Sequence, residues 1–186
     1  MIQNISHYFS KKLASNSEEQ EILQYGFECL INTLIPTVFY FLFALAHSMI
    51  FETIIWLVLF LMLRNYIGGY HASSHGRCIA ISTLYGLLTL FCINYYKSIP
   101  IMVEICICLT IAILHILFGP IINDSDLIEN YRKYKIIGLA IINAESAHML
   151  IFSYYDVEIH SCLFFSLISS VILHYAERIK RWWQIL

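Results

Sequence analysis

Charged side chains are scarce in this sequence. Only 13% of its 186 residues are Asp, Glu, Lys or Arg, while 59% are hydrophobic. A soluble globular domain carries about 25% charged residues. So little charge cannot solvate the outside of a compact soluble domain, so most of the exterior must contact something other than water. We therefore predict an integral membrane protein in a lipid bilayer.

Glycine, proline and long basic runs are scarce as well. Seven Gly and three Pro exclude a collagen-like fibre, and the high hydrophobicity excludes intrinsic disorder. A net charge of −2 without a basic block longer than a few residues predicts no nucleic-acid partner. The chain is too long for a disulfide-stapled miniprotein. Five of its six cysteines lie in apolar stretches, where free Cys behaves as a small hydrophobe: Cys29, Cys92, Cys106, Cys108 and Cys162.

Six apolar runs predict six membrane-spanning helices. A helix needs about 20 apolar residues to cross about 30 Å of hydrocarbon. We expect an all-α integral membrane fold in a single domain, with a cytoplasmic N-terminal segment (1–21), a six-helix bundle (22–175) and a cytoplasmic tail (176–186). The first helix should begin in water at Ser17, which has capping-box spacing to Gln20. The predicted spans are 27–47, 49–63, 78–96, 99–118, 136–155 and 159–175.

The basic residues predict the orientation of these helices. Lys97 stands alone on one side of the predicted membrane, and the other ten Lys and Arg residues fall on the opposite side. Because basic residues concentrate in cytoplasmic segments, both termini and both longer loops are expected in the cytoplasm. The ten are Lys11, Lys12, Arg64, Arg77, Arg132, Lys133, Lys135, Arg178, Lys180 and Arg181.

The polar stretch 64–78 carries the residues best suited to chemistry. Cys78 is a nucleophile readily activated near neutral pH, and His71 is a candidate base. In one unbroken helix the two would lie about 10 Å apart along the axis, too far for a hydrogen bond of about 3 Å. Pairing within one subunit therefore requires a break, which we place at Gly76. Cys78 would then lie in the first turn of the next helix, where the helix N-terminus and Arg77 favour the thiolate.

Two residues of the first helix are candidates for supporting this pair. Glu28 and Asn32 lie one turn apart near its inner end, in the same leaflet as the proposed dyad. Either could orient His71 as the third member of a triad. A purely structural role is the favoured interpretation of both.

A zinc site is one alternative. His71 and His75, at i and i+4, face one way on a helix, and Cys78 follows one turn later, which leaves the open fourth position of a catalytic zinc. Ala72, however, stands where a zincin carries its catalytic Glu. We therefore expect no metal, and we expect His75 to be essential only if zinc is bound.

A transporter or receptor partner without chemistry is another alternative. Glu104, Glu145 and His148 lie within predicted membrane helices. A charged group there costs roughly 2.5–3.5 kcal/mol, so such residues should face the bundle interior or a wet cavity. A hydrogen-bonded structural role for Glu145 is favoured over a place in a peptide path.

The motif in this stretch resembles that of a known family. Arg64, Gly69, His71 and Cys78 reproduce the R-x4-G-x-H-x6-C spacing of the accessory gene regulator B (AgrB) peptidases. The resemblance extends over essentially the whole chain, through the six-helix topology and the polar segment 21–28. Only the motif itself is specific.

This resemblance implies roles for the motif residues. Cys78 would be the nucleophile and His71 the base of a membrane cysteine endopeptidase that needs no cofactor. Arg64 and Gly69 would be needed for activity without performing the covalent step. The loop after helix four, with Gly119 and Pro120, departs from the proline-rich version in the family, so substrate specificity does not carry over.

The resemblance also implies a partner and a location. The substrate would be an AgrD-like propeptide, whose acidic C-terminal tail is removed to leave a cyclic thiolactone or lactone precursor of a quorum-sensing signal. The enzyme would lie in the cell membrane of a Gram-positive bacterium with its active site on the cytoplasmic side. Whether a homodimer forms is left open.

Overall fold

The computed structural model describes residues 2–70, 72, 74–96, 99–121, 130–153 and 155–185. Within these residues the regular structure is entirely helical, which confirms the all-α prediction. The helices are α1 (Ile2–Leu13), α2 (Ser17–His47), α3 (Ile50–Ile67), α4 (His75–Tyr95), α5 (Ile101–Phe118), α6 (Tyr131–Phe152) and α7 (Val157–Ile185).

Helices α2 to α7 are each long and apolar enough to cross a membrane, which confirms the six predicted spans. The ends differ from the hydropathy prediction. Helix α6 begins before the predicted residue 136, and α7 continues through most of the predicted tail at 176–186. These added turns carry Arg and Lys, whose long aliphatic stems cover apolar surface while their charges reach water. A helix therefore need not end where its apolar run ends.

The start of α2 is close to the prediction, but its cap is one residue earlier. Ser17 is the first helical residue, and Asn16 is the N-cap. The Asn16 Oδ1 atom accepts the Glu19 backbone N–H at 2.8 Å, and the Glu19 carboxylate accepts the Ser15 N–H at 2.7 Å. The reciprocal cap therefore centres on Asn16 and Glu19 rather than on Ser17 and Gln20.

The helices form two compact units. The first comprises Met1–Ser48 and Ala72–Leu88, and the second comprises Met49–His71 and Thr89–Leu186. Helix α4 contributes its N-terminal turns to the first unit and its last turns to the second.

In the first unit, α1 folds back along the N-terminal turns of α2. The Phe9 and Phe27 rings lie 5.8 Å apart, and the Ser6 hydroxyl donates to Glu28 at 3.2 Å. Ser6 and Ser10 are fully buried against α2, because small side chains allow the two helices to approach closely. The predicted N-terminal segment therefore contains a helix that packs on the first membrane helix.

Helices α2 and α4 approach each other closely within the first unit. The Tyr40 hydroxyl donates to the Ser82 carbonyl at 2.6 Å. Gly86 lies against the Tyr40 ring, which occupies the space that a side chain at position 86 would need. Small residues at such crossings are typical of packed membrane helices.

The second unit is organised around α7, which packs against α3 and α6. Helices α3 and α7 run in the same direction, because the Cys162 thiol lies 3.4 Å from the Glu52 carbonyl near their beginnings and His174 contacts Ile67 farther along both. The core consists of side chains from α3, α5, α6 and α7: Leu63, Ile67, Cys108, Ile111, Ile142, Met149, Leu163, Phe164 and Leu167.

Two acidic residues are buried within the second unit, as the sequence predicts, and each has a polar partner. Glu145 accepts a hydrogen bond from the Ser166 hydroxyl at 2.9 Å. Glu104 pairs with His160 at 3.1 Å. His148 does not face the interior of the bundle: it is exposed and bonds to a carbonyl of its own helix. Of the two expected surroundings, only the wet cavity stays a prediction for it. These contacts favour structural roles for Glu104 and Glu145.

Tyr96, just after α4, completes the contacts of Glu104. Its hydroxyl donates to the Glu104 carboxylate and accepts the Ile99 backbone N–H at 3.3 Å. Its ring packs against Phe164 and Phe165. Burial, together with the hydrogen bond to Glu104, raises the pKa of Tyr96 to about 12.

Candidate active site

Cys78 lies in the first turn of α4, as predicted. The helix begins at His75, and the Cys78 backbone N–H donates to the Ser74 carbonyl at 2.9 Å. The Cys78 side chain is a partly buried free thiol. The predicted break at Gly76 is wrong, because Gly76 lies inside this first turn and the non-helical residues precede His75. Among the residues that the structure describes, none has an atom within 4 Å of the position of a methyl group at Gly76, so the described packing does not require glycine there.

The chain breaks out of α3 at Gly68. This residue has φ of +76°, a conformation that L side chains rarely adopt, and its N–H donates to the Arg64 carbonyl at 2.9 Å. The Ile121 carbonyl oxygen occupies the position that a Cβ at residue 68 would need. Gly68 therefore both ends α3 and permits a close backbone crossing, a role that sequence analysis missed.

Arg64 and Gly69 hold the segment that leads to the motif histidine. The Arg64 Nη2 atom donates to the Tyr70 carbonyl at 3.2 Å, which ties the helix to the residue just before His71. Gly69 is buried against the same side chain, and a Cβ there would lie 3.2 Å from the Arg64 Nε atom. These contacts provide a physical basis for the supporting roles predicted for both residues.

His71 lies outside the described residues. The pairing of His71 with Cys78 therefore stays a prediction.

Glu28 and Asn32 contact His75 in the first unit. The Glu28 Oε2 atom lies 3.1 Å from His75 Nε2, and the Asn32 amide lies 2.9 Å from His75 Nδ1. The other Glu28 oxygen accepts from the Ser6 hydroxyl and the Gln24 amide, each at 3.2 Å. This polar cluster anchors the first residue of α4, three positions before Cys78, on α2. The predicted action of Glu28 on His71 stays a prediction.

The contacts of His75 bear on the zinc alternative. Among the described residues, which exclude His71, no group of three or more His, Cys, Asp or Glu could hold a metal ion. Both ring nitrogens of His75 already have partners, Glu28 on one and Asn32 on the other. Ligation of a metal would require His75 to release one of them.

The fold and this site define a class: a multi-pass membrane protein with a cysteine in the first turn of one membrane helix. An arginine near the end of the preceding membrane helix bonds a backbone carbonyl just beyond that helix. The chain matches the family model described as accessory gene regulator B (AgrB) over residues 2–177. It therefore belongs to the AgrB family.

Two curated relatives match part of the chain. A "Putative AgrB-like protein" of Clostridium perfringens (strain SM101 / Type A) is 36% identical over 99 residues. A "Putative AgrB-like protein 2" of Clostridium perfringens (strain 13 / Type A) is 35% identical over 99 residues. The matched stretch covers 51% of this chain and 44% of the length of each relative. No solved structure matches the chain.

Proposed function

We propose that this chain is a membrane cysteine endopeptidase that processes an AgrD-type propeptide in a quorum-sensing system. The observation that carries the proposal is the position of Cys78 in the first turn of α4. Arg64 contacts Gly69 and bonds the Tyr70 carbonyl, one residue before His71 in the sequence. Membership of the AgrB family supports the same reaction. The two Clostridium relatives support a Gram-positive cell membrane as its location.

In the proposed reaction, His71 takes the proton of the Cys78 thiol, and the thiolate attacks the carbonyl carbon at the end of the signal segment. A carbon–sulfur bond forms and the peptide carbon–nitrogen bond breaks. His71 returns the proton to the leaving amine, and the C-terminal tail departs. The product is a thioester between Cys78 and the signal segment.

Cyclisation then follows from the chemistry of the thioester. A propeptide cysteine or hydroxyl gives its proton to His71 and attacks the thioester carbonyl. A thiolactone or lactone ring forms, the bond to the Cys78 sulfur breaks, and His71 returns the proton to the Cys78 thiolate. The thioester retains enough activation for this exchange, so the step needs no ATP. The enzyme is regenerated without a cofactor.

Cleavage by single-residue variants tests the proposal. Cys78→Ala and His71→Ala should each abolish release of the tail from a candidate propeptide in proteoliposomes. Cys106→Ala, at an exposed cysteine in an apolar stretch, is the matched control and should cleave as the wild type does. Full cleavage by Cys78→Ala would refute the proposal, and loss of activity with a chelator would favour zinc.

A further inference from the structure

The last residue of α3 is fixed by two hydrogen-bond donors. The Ile67 carbonyl oxygen accepts the His174 Nδ1–H at 2.8 Å and the Ile121 backbone N–H at 3.0 Å. Ile67 and His174 are both buried, at 1% and 3% exposure. Two donors on one carbonyl satisfy both of its lone pairs, so the end of α3 is held in one place. The next residue is Gly68, where the chain leaves the helix.

Arg178 fixes the imidazole of His174. Its Nε atom donates to His174 Nε2 at 3.1 Å. Because arginine offers only donors, His174 Nε2 must be the acceptor, and the ring proton must lie on Nδ1, where it bonds Ile67. The Arg178 Nη2 atom also donates to the Phe118 and Gly119 carbonyls, at 2.6 Å each. These carbonyls are at the C-terminal end of α5, where a cation is favourable.

The following residues are held from other helices. The Lys180 ammonium lies 5.1 Å from the centroid of the Tyr70 ring, within the range of a cation–π interaction. Arg64 bonds the Tyr70 carbonyl. Contacts from α3, from α7 and from Ile121 thus converge on residues 67–70, which directly precede the motif histidine in the sequence.

We propose that His174 and Arg178 are positioning residues for the reaction, acting through the backbone of 67–70. This inference rests on the proposed function. His174 fixes the end of α3, and Arg178 fixes the tautomer and orientation of His174. Together they determine the position of the backbone that leads to the motif histidine. A displacement of about 1 Å at a reacting group costs about 100-fold in rate. Neither residue belongs to the R-x4-G-x-H-x6-C motif.

Two substitutions at His174 separate its two hydrogen bonds. In His174→Asn the amide nitrogen takes the place of Nδ1 and can donate to Ile67, but the acceptor for Arg178 is lost. In His174→Gln the amide oxygen reaches the place of Nε2 and can accept from Arg178, but the bond to Ile67 is lost. The alanine variant loses both. The asparagine variant therefore tests whether a hydrogen bond to the Ile67 carbonyl is enough to preserve activity.

Steady-state cleavage of a tail-bearing propeptide in proteoliposomes distinguishes these variants. His174→Gln and His174→Ala should lower kcat about 10–100-fold, with KM within about twofold of the wild type. His174→Asn should keep kcat within about threefold of the wild type. An equal loss of kcat in the Asn and Gln variants, or equal retention of kcat in both, would overturn the proposal.

A control separates positioning from stability. His160→Asn, near the other end of α7, also loses a buried imidazole bond, the one to Glu104, and the described side-chain partners of His160 are Glu104 and Tyr96 rather than residues 67–70. It should lower the thermal midpoint without lowering kcat of the folded fraction. If kcat fell as far as it does in His174→Gln, the loss would reflect general destabilisation, and the positioning role would be refuted.

Hydrogen exchange at the Ile121 amide tests the hydrogen bonding at the Ile67 carbonyl independently of activity. This amide shares the Ile67 oxygen with His174. It should exchange faster in His174→Gln and His174→Ala than in His174→Asn and the wild type. Uniform exchange in all four proteins would overturn the inference. If Cys78→Ala cleaved normally while exchange followed this order, the proposed function would be refuted, but the role of His174 in holding the Ile67 carbonyl would be supported.

Discussion

At the scale of single residues, glycines of the loop region differ in what a side chain would meet. Gly68→Ala places a methyl group at positive φ and against the Ile121 carbonyl. This backbone conformation, with φ +76° and ψ 176°, is essentially restricted to glycine, and for another residue it alone costs about 1–3 kcal/mol. Gly76→Ala meets open space inside α4 and should stabilise the helix by about 0.5–1 kcal/mol. Thermal unfolding of the purified variants should therefore show a lower midpoint for Gly68→Ala and an unchanged or higher one for Gly76→Ala. Equal midpoints would contradict this account of the loop.

His75 provides a second prediction. Because it bonds Glu28 and Asn32, loss of activity in His75→Ala no longer distinguishes zinc from a Cys–His dyad. The cluster predicts that His75→Ala and Glu28→Ala each destabilise the protein by about 1–3 kcal/mol. The double variant should cost less than the sum of the two single changes, because the Glu28–His75 contact is counted in both, while the bonds of Glu28 to Ser6 and Gln24 and of His75 to Asn32 are lost separately. Additive losses in a denaturation series, or bound zinc that disappears only with His75→Ala, would favour the metal site.

Spacing alone predicts the candidate site residues. Arg64, Gly69, His71 and Cys78 lie within one short stretch, so a pattern of residue types at fixed intervals is enough to propose them. The requirement at Gly68 could not be predicted, because it depends on the Ile121 carbonyl, which lies far along the chain and meets Gly68 only in the fold. The break was misplaced at Gly76 for the same reason, since glycine content does not show which glycine has a crowded backbone.

At the scale of helices, burial in lipid explains which predictions succeed. Whether a segment spans the membrane depends mainly on its length and apolar content, which the sequence contains directly. The helix ends depend on individual caps and on basic side chains that extend a helix past the apolar run. The Asn16 cap and the long C-terminal part of α7 show both effects. Hydropathy therefore locates spans better than it locates ends.

The junction between α4 and α5 gives a prediction at this scale. Tyr96→Phe removes the hydroxyl that donates to the buried Glu104 carboxylate. Loss of that donor should destabilise the protein by about 1–3 kcal/mol. Tyr95→Phe, at an exposed tyrosine, is the matched control and should have little effect. Thermal unfolding in detergent measures both, and similar midpoints for the two variants would contradict the role of Tyr96.

The raised pKa of Tyr96 sets the pH range of this contribution. A tyrosine in the unfolded chain has a pKa of about 10, and in the folded protein burial and the bond to Glu104 raise the pKa to about 12. The folded state therefore holds the proton more tightly. The stability that Tyr96 contributes is complete below about pH 10 and is lost as the pH rises towards 12. The difference in free energy of unfolding between the wild type and Tyr96→Phe should therefore decrease between about pH 10 and pH 12.

At the scale of the whole molecule, the basic residues allow a test of substrate capture. Arg132, Lys133 and Lys135 lie at the start of α6, where the Tyr134 and Tyr66 rings, 5.7 Å apart, bring it close to the end of α3. Their positive charges at the start of α6 would attract an acidic propeptide tail. Neutralising the three together should raise KM for an acidic-tailed propeptide and leave kcat nearly intact.

Salt and tail charge provide the controls for that prediction. Steering by exposed charges weakens as the Debye length falls to about 10 Å and below. Added salt should therefore raise KM of the wild type towards that of the triple variant, and a propeptide with a neutral tail should show no difference between them. An unchanged KM at low salt would leave these residues as topology signals alone.

The central claim is that Cys78 forms a covalent bond to the propeptide. Mass spectrometry of the protein during turnover measures it most directly. We expect a Cys78 peptide that is heavier by the mass of the signal segment without its tail. This adduct should be sensitive to hydroxylamine and absent from His71→Ala. Tail release by the wild type without such an adduct, together with inhibition by a chelator, would contradict it.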